Sequence, residues 1–120
     1  MTRPTLPLRH RLAPVLALAL ALASGLSGCA SYEGARLYRS GTQALDDGAP
    51  ERAIADLERA AALVPEASEV RNHLGLAYAA AGRPGDAERA FRLAVELDCD
   101  NTAARENLRA AELRSAGVKP

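Results

Sequence analysis

The sequence predicts an all-α protein: two antiparallel helix pairs and a capping helix that form a short α-solenoid, preceded by a signal segment. Three observations support this prediction. The chain of 120 residues is 48% hydrophobic but only 3% aromatic and has no Trp, so its core must be built from Ala and Leu, which favour closely packed helices. A pattern of Gly, Pro and Ala occurs twice, at matching positions of two successive segments of equal length. The N-terminal segment 1–28 is basic and then strongly apolar, unlike the rest of the chain.

Residues 1–28 have the composition of a secretory signal peptide. Residues 1–11 contain Arg3, Arg9 and Arg11 and no acidic residue, and an uncharged apolar run follows over residues 12–23. A transmembrane helix is the alternative reading of this run. However, Pro14 interrupts the run, which is shorter than the roughly 20 residues that a bilayer span requires. We therefore predict that residues 1–28 are removed from the mature protein.

The signal segment ends in Leu26-Ser27-Gly28-Cys29, which resembles the bacterial lipobox. The resemblance implies cleavage after Gly28 and a covalent lipid on Cys29, which becomes the mature N-terminus; no other cofactor is expected. Two or more acyl chains anchor a protein stably, because each buried CH₂ contributes about 0.8 kcal/mol. Ala30 stands where enterobacterial lipoproteins retained in the inner membrane have Asp, which implies an outer-membrane location facing the periplasm. The alternative is ordinary secretion after cleavage elsewhere, for example after Ala23, with Cys29 left as a free thiol.

The sequence contains an internal repeat: residues 34–67 align with residues 68–101 at an offset of 34 residues. The identical positions fall where two successive helix pairs would need them: Gly41 and Gly75, Gly48 and Gly82, Pro50 and Pro84, Ala53 and Ala87, Ala60 and Ala94, and Leu63 and Leu97. This register predicts one helix pair in each of the two segments.

The apolar pattern of each pair predicts how its two helices pack. The second helix carries a large residue, Leu57 or Phe91, between two alanines at i, i+4 and i+7 spacing, which gives one apolar stripe. Gly41 and Gly75 lie in the middle of the first helices, where Gly costs about 1 kcal/mol relative to Ala. Gly is tolerable at these positions if a neighbouring helix must pack directly against the backbone there.

Glycines and prolines mark the turn inside each pair. Gly48 and Gly82 come where the first helix should end, and Pro50 and Pro84 come two residues later, where the second helix should begin. Gly just past a helix end and Pro in the first turn of the next helix are the preferred residues for these positions.

Capping residues predict the remaining boundaries. Pro65 ends the first unit, Ser68 is the expected N-cap of the second unit, and Asn101 is the expected N-cap of the last helix. The predicted organisation is therefore a signal peptide at 1–28, a lipidated N-terminus with a short tether at 29–33, repeat units at 34–67 and 68–101, a capping helix at 102–115 and a disordered tail at 116–120.

The second unit reads Leu74-Gly75-x-x-Tyr78 and Ala87-x-x-x-Phe91-x-x-Ala94, which resembles the tetratricopeptide repeat (TPR). The first unit keeps the Gly and Ala positions but has Ser40 and Ala44 where the family prefers Leu and Tyr. The resemblance implies a concave groove, lined by the first helix of each pair, that binds a protein or peptide segment. Carried over position by position, the groove residues are Tyr38, Arg39, Thr42, Asn72, His73, Leu76, Glu106 and Asn107.

One TPR class holds the C-terminal carboxylate of its partner with Lys, Arg and Asn side chains. In this chain those positions are occupied by Tyr38, Thr42, His73, Ala103 and Asn107. The carboxylate clamp is therefore absent. The groove is mixed and nearly neutral, and in it Arg39 could meet a carboxylate and Asn72 could hydrogen-bond a peptide backbone.

Charge and residue chemistry exclude other classes of function. Residues 30–120 carry twelve basic and fifteen acidic residues, a net charge of −3, which argues against nucleic-acid binding. His73 is distant in sequence from Cys99, and no His or Cys pair has metal-ligand spacing, so we expect no catalytic or metal site and no enzymatic activity. Cys99 is expected to pack in the turn where the first unit has Pro65; an intermolecular disulfide is the alternative.

The sequence thus predicts a membrane-anchored periplasmic adaptor that binds a protein or peptide and aids assembly of an envelope, pilus or secretion complex. Two repeat units with a cap make a marginal core, so a homodimer or stabilisation by a bound partner is expected as readily as a modestly stable monomer. Two alternatives remain open: a homo-oligomeric structural envelope lipoprotein, and a secreted, non-lipidated helical repeat protein.

Overall fold

The computed structural model describes residues 29–117, and they form five helices without a strand. The helices are α1 (residues 29–46), α2 (Pro50–Leu63), α3 (Ser68–Ala80), α4 (Pro84–Leu97) and α5 (Thr102–Ser115). The prediction of an all-helical fold is confirmed. The predicted signal peptide with its cleavage site at Gly28, and the last three residues of the predicted tail, lie outside the described residues. None of the described helices is long and apolar enough to cross a membrane.

The turns inside the two helix pairs are built by glycines in the left-handed conformation. Gly48 has φ +69° and Gly82 has φ +72°, a region that L-residues with a Cβ rarely adopt. The Arg83 N–H donates to the Tyr78 carbonyl at 2.9 Å, and the Gly82 N–H donates to the Ala79 carbonyl at 3.1 Å. These bonds satisfy carbonyls at the end of α3 that have no partner within the helix. The same two bonds recur at the end of α1.

Inside each pair, a large side chain of the second helix lies against a glycine of the first. A Cβ on Gly41 would come within 2.6 Å of Leu57 Cγ, and a Cβ on Gly75 would overlap the Phe91 ring. Leu57 is fully buried, and Phe91 is 3% exposed. The mid-helix glycines therefore permit the close approach of α1 to α2 and of α3 to α4, as the apolar stripes predict.

The junction between the two pairs differs from the sequence prediction. Ser68 is not the N-cap of α3, because Ala67 occupies that position and Ser68 is the first helical residue. The buried Ser68 hydroxyl instead donates to the Ala94 carbonyl in α4 at 2.9 Å. It also accepts a hydrogen bond from Asn101 Nδ2 at 2.8 Å, so this serine connects the start of α3 to the end of α4.

The last helix begins where the sequence predicts. Asn101 is the N-cap of α5, and its Oδ1 accepts a hydrogen bond from the Ala104 N–H at 3.0 Å. Ala104 and Ala111 are buried, and Leu108 packs against the cluster formed by Ala87 and Phe91. Helix α5 thus covers the open side of the α3–α4 pair, as a capping helix should.

The start of α1 also differs from expectation. Residues 29–33, predicted to be a short tether, are helical and continue into α1 without a break. Gly34 is buried, and a Cβ placed on it would lie 3.1 Å from Val64 Cγ1. One turn later, Leu37 is 2% exposed and packs with Ala60, Ala61 and Val70. Close packing against α2 therefore begins within the second turn described.

Candidate functional site

The predicted groove residues lie on α1, α3 and α5, the helices that the repeat register assigns to one face. The structure brings Tyr38 of α1 directly against His73 of α3. The Tyr38 hydroxyl oxygen lies 3.2 Å from His73 Nδ1, and the two rings meet edge to face with centroids 5.2 Å apart. This pair connects the first helices of the two helix pairs, α1 and α3, across their junction.

The His73 ring has a second neighbour on its own helix. Nδ1 lies 3.0 Å from the Glu69 carbonyl oxygen as well as 3.2 Å from the Tyr38 hydroxyl oxygen, so one ring nitrogen contacts both groups. The Glu69 carboxylate lies close enough to the Tyr38 hydroxyl to hydrogen-bond to it. Burial, followed by the Glu69 carboxylate, raises the pKa of Tyr38 to about 12. The arrangement holds Tyr38 as a neutral phenol.

Asn72 and Asn107 form the second connection across this face. Asn72 is 4% exposed, and its Oδ1 accepts a hydrogen bond from Asn107 Nδ2 at 2.9 Å. The sequence predicts that both residues contact a partner. The structure shows that they bind each other and fix α5 to α3. The side-chain carbonyl of Asn72 already accepts a hydrogen bond from Asn107, so it is less available to a peptide N–H.

The other four predicted groove residues lie outside these two contacts. The Thr42 hydroxyl donates to the Arg39 carbonyl within α1 at 3.0 Å. Leu76 is 36% exposed on α3. Arg39 and Glu106 are exposed, and neither forms an ion pair with another residue in the described range 29–117. These side chains are accessible to a partner.

An open depression of about 490 Å³ lies at one end of the face, where the turn before α3 meets the turn before α5. Its lining includes Asn72 and His73 of the predicted groove and also seven residues outside the predicted set: Glu66, Ala67, Ser68, Glu69, Asp98, Asn101 and Ala103. Glu66, Glu69 and Asp98 are acidic, and the described lining holds no Lys or Arg. The depression therefore attracts cations and repels a carboxylate terminus.

The second-unit tyrosine of the TPR-like pattern lies elsewhere, between α2 and α3. The Tyr78 hydroxyl donates to Glu58 Oε1 at 2.5 Å, and the Arg83 guanidinium lies 4.6 Å from the centre of its ring. Burial and the Glu58 carboxylate raise the pKa of Tyr78 to about 12. Tyr78 is thus a structural contact between the two units, separate from the candidate site.

The described His, Cys, Asp and Glu side chains do not form a reactive or metal-binding cluster. In the part of the chain that the structure describes, no three His, Cys, Asp or Glu side chains are grouped so that they could hold a metal ion. Cys99 lies in the turn before α5 but is exposed, so the expectation that it packs there is wrong. Cys29 is also exposed and unpaired with another cysteine among the described residues. The site offers a shaped, polar surface.

No protein-family model matches this chain, and a search of curated proteins finds no match either.

Proposed function

We propose that this protein is a membrane-anchored periplasmic adaptor of the TPR type, with two repeat units and a capping helix. It binds a protein or peptide segment along the face of α1, α3 and α5 and aids assembly of an envelope, pilus or secretion complex. The Gly41–Leu57 and Gly75–Phe91 contacts, which occupy the same position in each unit, support the repeat assignment. The lipobox-like segment before Cys29 supports the anchor.

One observation carries the binding proposal: three helices are joined into a continuous face by two side-chain contacts. Tyr38 with His73 joins α1 to α3, and Asn72 with Asn107 joins α3 to α5. A face that is ordered before binding loses less conformational entropy when a partner docks, so more of the contact energy appears as affinity. The depression at its end provides a concave surface for a partner side chain.

The mechanism is localisation. An acylated Cys29 confines the binding face to one membrane surface, where its effective concentration for partners on that surface is high. Binding then needs no chemical step, and the protein acts by holding its partner in place.

The anchor is tested by intact mass and membrane fractionation of the wild type beside Cys29→Ser. The proposal predicts a wild-type chain that starts at Cys29, carries added acyl mass and stays with the membranes. It predicts that Cys29→Ser is neither acylated nor membrane-bound. A wild-type chain that is soluble and lacks acyl mass would refute the anchor and favour the secreted alternative.

A further inference from the structure

The distance between Cys29 and the folded array is short because α1 leaves no room for a flexible spacer. Residues 29–46 form one continuous helix, and Gly34 already packs against Leu63 and Val64 of the α2 end. At a rise of about 1.5 Å per residue, Cys29 lies only about 8 Å along the helix axis from this first packed residue.

The start of α1 defines one end of the array, here called the proximal end. Successive helices alternate in direction, so the proximal end also contains the turns before α3 and before α5. The hydrogen bonds of Ser68 with the Ala94 carbonyl and with Asn101 hold these turns together. The distal end contains the Gly48 and Gly82 turns and the end of α5. The two ends are about 20 Å apart, the length of the 13-residue helix α3.

A large exposed side chain lies in the first turn described. Tyr32 is 69% exposed, the highest value among the exposed large hydrophobic residues of the described chain. It is three residues, or just under one helical turn, from Cys29. Tyrosine favours the boundary between lipid and water because its ring is apolar and its hydroxyl is polar.

We propose that the array meets the bilayer by its proximal end, held rigidly through α1, with Tyr32 in the headgroup region. This inference rests on the proposed lipid anchor at Cys29. Glu33, beside Tyr32, forms an ion pair with Arg36 at 2.6 Å. The remainder of the proximal end carries the exposed carboxylates of Glu66, Asp98 and Asp100, which anionic headgroups repel. The contact with lipid is therefore confined to the first turn of α1.

This orientation specifies the class of partner. The depression lined by Glu66, Asp98 and His73 belongs to the proximal end and so lies close to the membrane surface. A partner that occupies it must present its segment at that surface. We therefore expect the partner to be a protein embedded in or attached to the same membrane, because such a protein presents its segments at that surface.

The absence of Trp from the sequence permits a direct test. Tyr32→Trp places a single fluorescent reporter at the proximal end. Leu113→Trp places one at the distal end, on a side chain that is 40% exposed. Each purified full-length lipoprotein is reconstituted in vesicles with and without a lipid that carries a spin label on its headgroup, which quenches only a tryptophan close to the headgroup region. The inference predicts that Tyr32→Trp loses most of its emission and that Leu113→Trp is unchanged.

A third variant adds a Gly-Ser spacer between Cys29 and Ala30 in the Tyr32→Trp chain, and it is predicted to lose the quenching. Intact mass of each sample separates the two proposals. A chain with added acyl mass whose Tyr32→Trp emission is unquenched, or quenched equally to Leu113→Trp, overturns the orientation alone. A chain without acyl mass overturns the anchor, and the orientation with it.

Discussion

Phe91 lies across the backbone of Gly75 so closely that no side chain could occupy position 75 without displacing the ring. Gly75→Ala would gain about 1 kcal/mol of helix propensity, but overpacking in a dense core costs about 1–3 kcal/mol. We expect a net loss of up to about 2 kcal/mol in the free energy of unfolding, measured by urea denaturation. Gly85→Ala is the control, because a Cβ there meets no atom nearer than Arg89 Nη1 at 3.9 Å. A Gly75→Ala protein as stable as Gly85→Ala would contradict the packing described for the α3–α4 pair.

Gly82 is required for its backbone conformation rather than for space. Its φ is +72°, and a Cβ built on it would meet nothing within 4 Å in the described structure. Gly82→Ala should therefore cost about 1–2 kcal/mol through left-handed strain alone. Thermal unfolding followed by circular dichroism measures the loss. Gly82→Asn should recover part of it, because Asn tolerates this conformation better than Ala; equal losses in the two variants would argue against a strained turn.

The hydrogen bond between Asn72 and Asn107 should contribute measurably to the docking of α5. Asn107→Ala leaves the buried Asn72 carbonyl without this partner, which costs about 1–3 kcal/mol. A double-mutant cycle with Asn72→Ala measures the coupling between the two residues. We expect a coupling well above experimental error. Additive effects of the two substitutions would show that the pair does not fix α5 to α3.

The two partly buried phenols, Tyr38 and Tyr78, predict a loss of stability in base. The pKa values of Tyr38 and Tyr78 are raised from 10.0 to about 12 in the folded chain. A raised folded-state pKa means that the neutral phenols stabilise the fold fully below pH 10, and that this contribution is lost between about pH 10 and 12. Tyrosinate absorbance during a pH titration checks the raised values. Tyr38→Phe and Tyr78→Phe should each remove one late-titrating group, whereas titration of both groups near pH 10 would contradict the structure.

The sequence predicts the helical boundaries well where local chemistry decides them. Gly48 and Gly82 end helices because few other residues adopt the required backbone angles, and Asn101 caps α5 with a side chain three residues from its donor. Ser68 could not be assigned in this way, because its hydroxyl bonds to Ala94, which is distant in sequence. The helical state of residues 29–33 was missed for a similar reason. Gly34 is a poor helix former by its propensity, but its packing on Val64 favours the helix.

The repeat register predicts that Tyr38, His73, Asn72 and Asn107 share one face, but it contains no information about the contacts that these four residues make with one another. The acidic depression was missed because Glu66 and Asp98 lie in two turns that are far apart in sequence and are brought together only by the stacking of the units. The sequence signal for this depression is the presence of an acidic residue shortly before α3 and another shortly before α5.

The proposed binding face of α1, α3 and α5 is tested most directly by site-specific photo-crosslinking in living cells. A photoreactive residue replaces Leu76 on the α1, α3 and α5 face or, as the matched control, Leu93 on α4; both side chains are 36% exposed. The proposed function predicts that the Leu76 position crosslinks to one recurring envelope protein and that the Leu93 position does not. Crosslinks of equal pattern and yield from both positions, or none from Leu76 in a correctly folded and anchored protein, would contradict it.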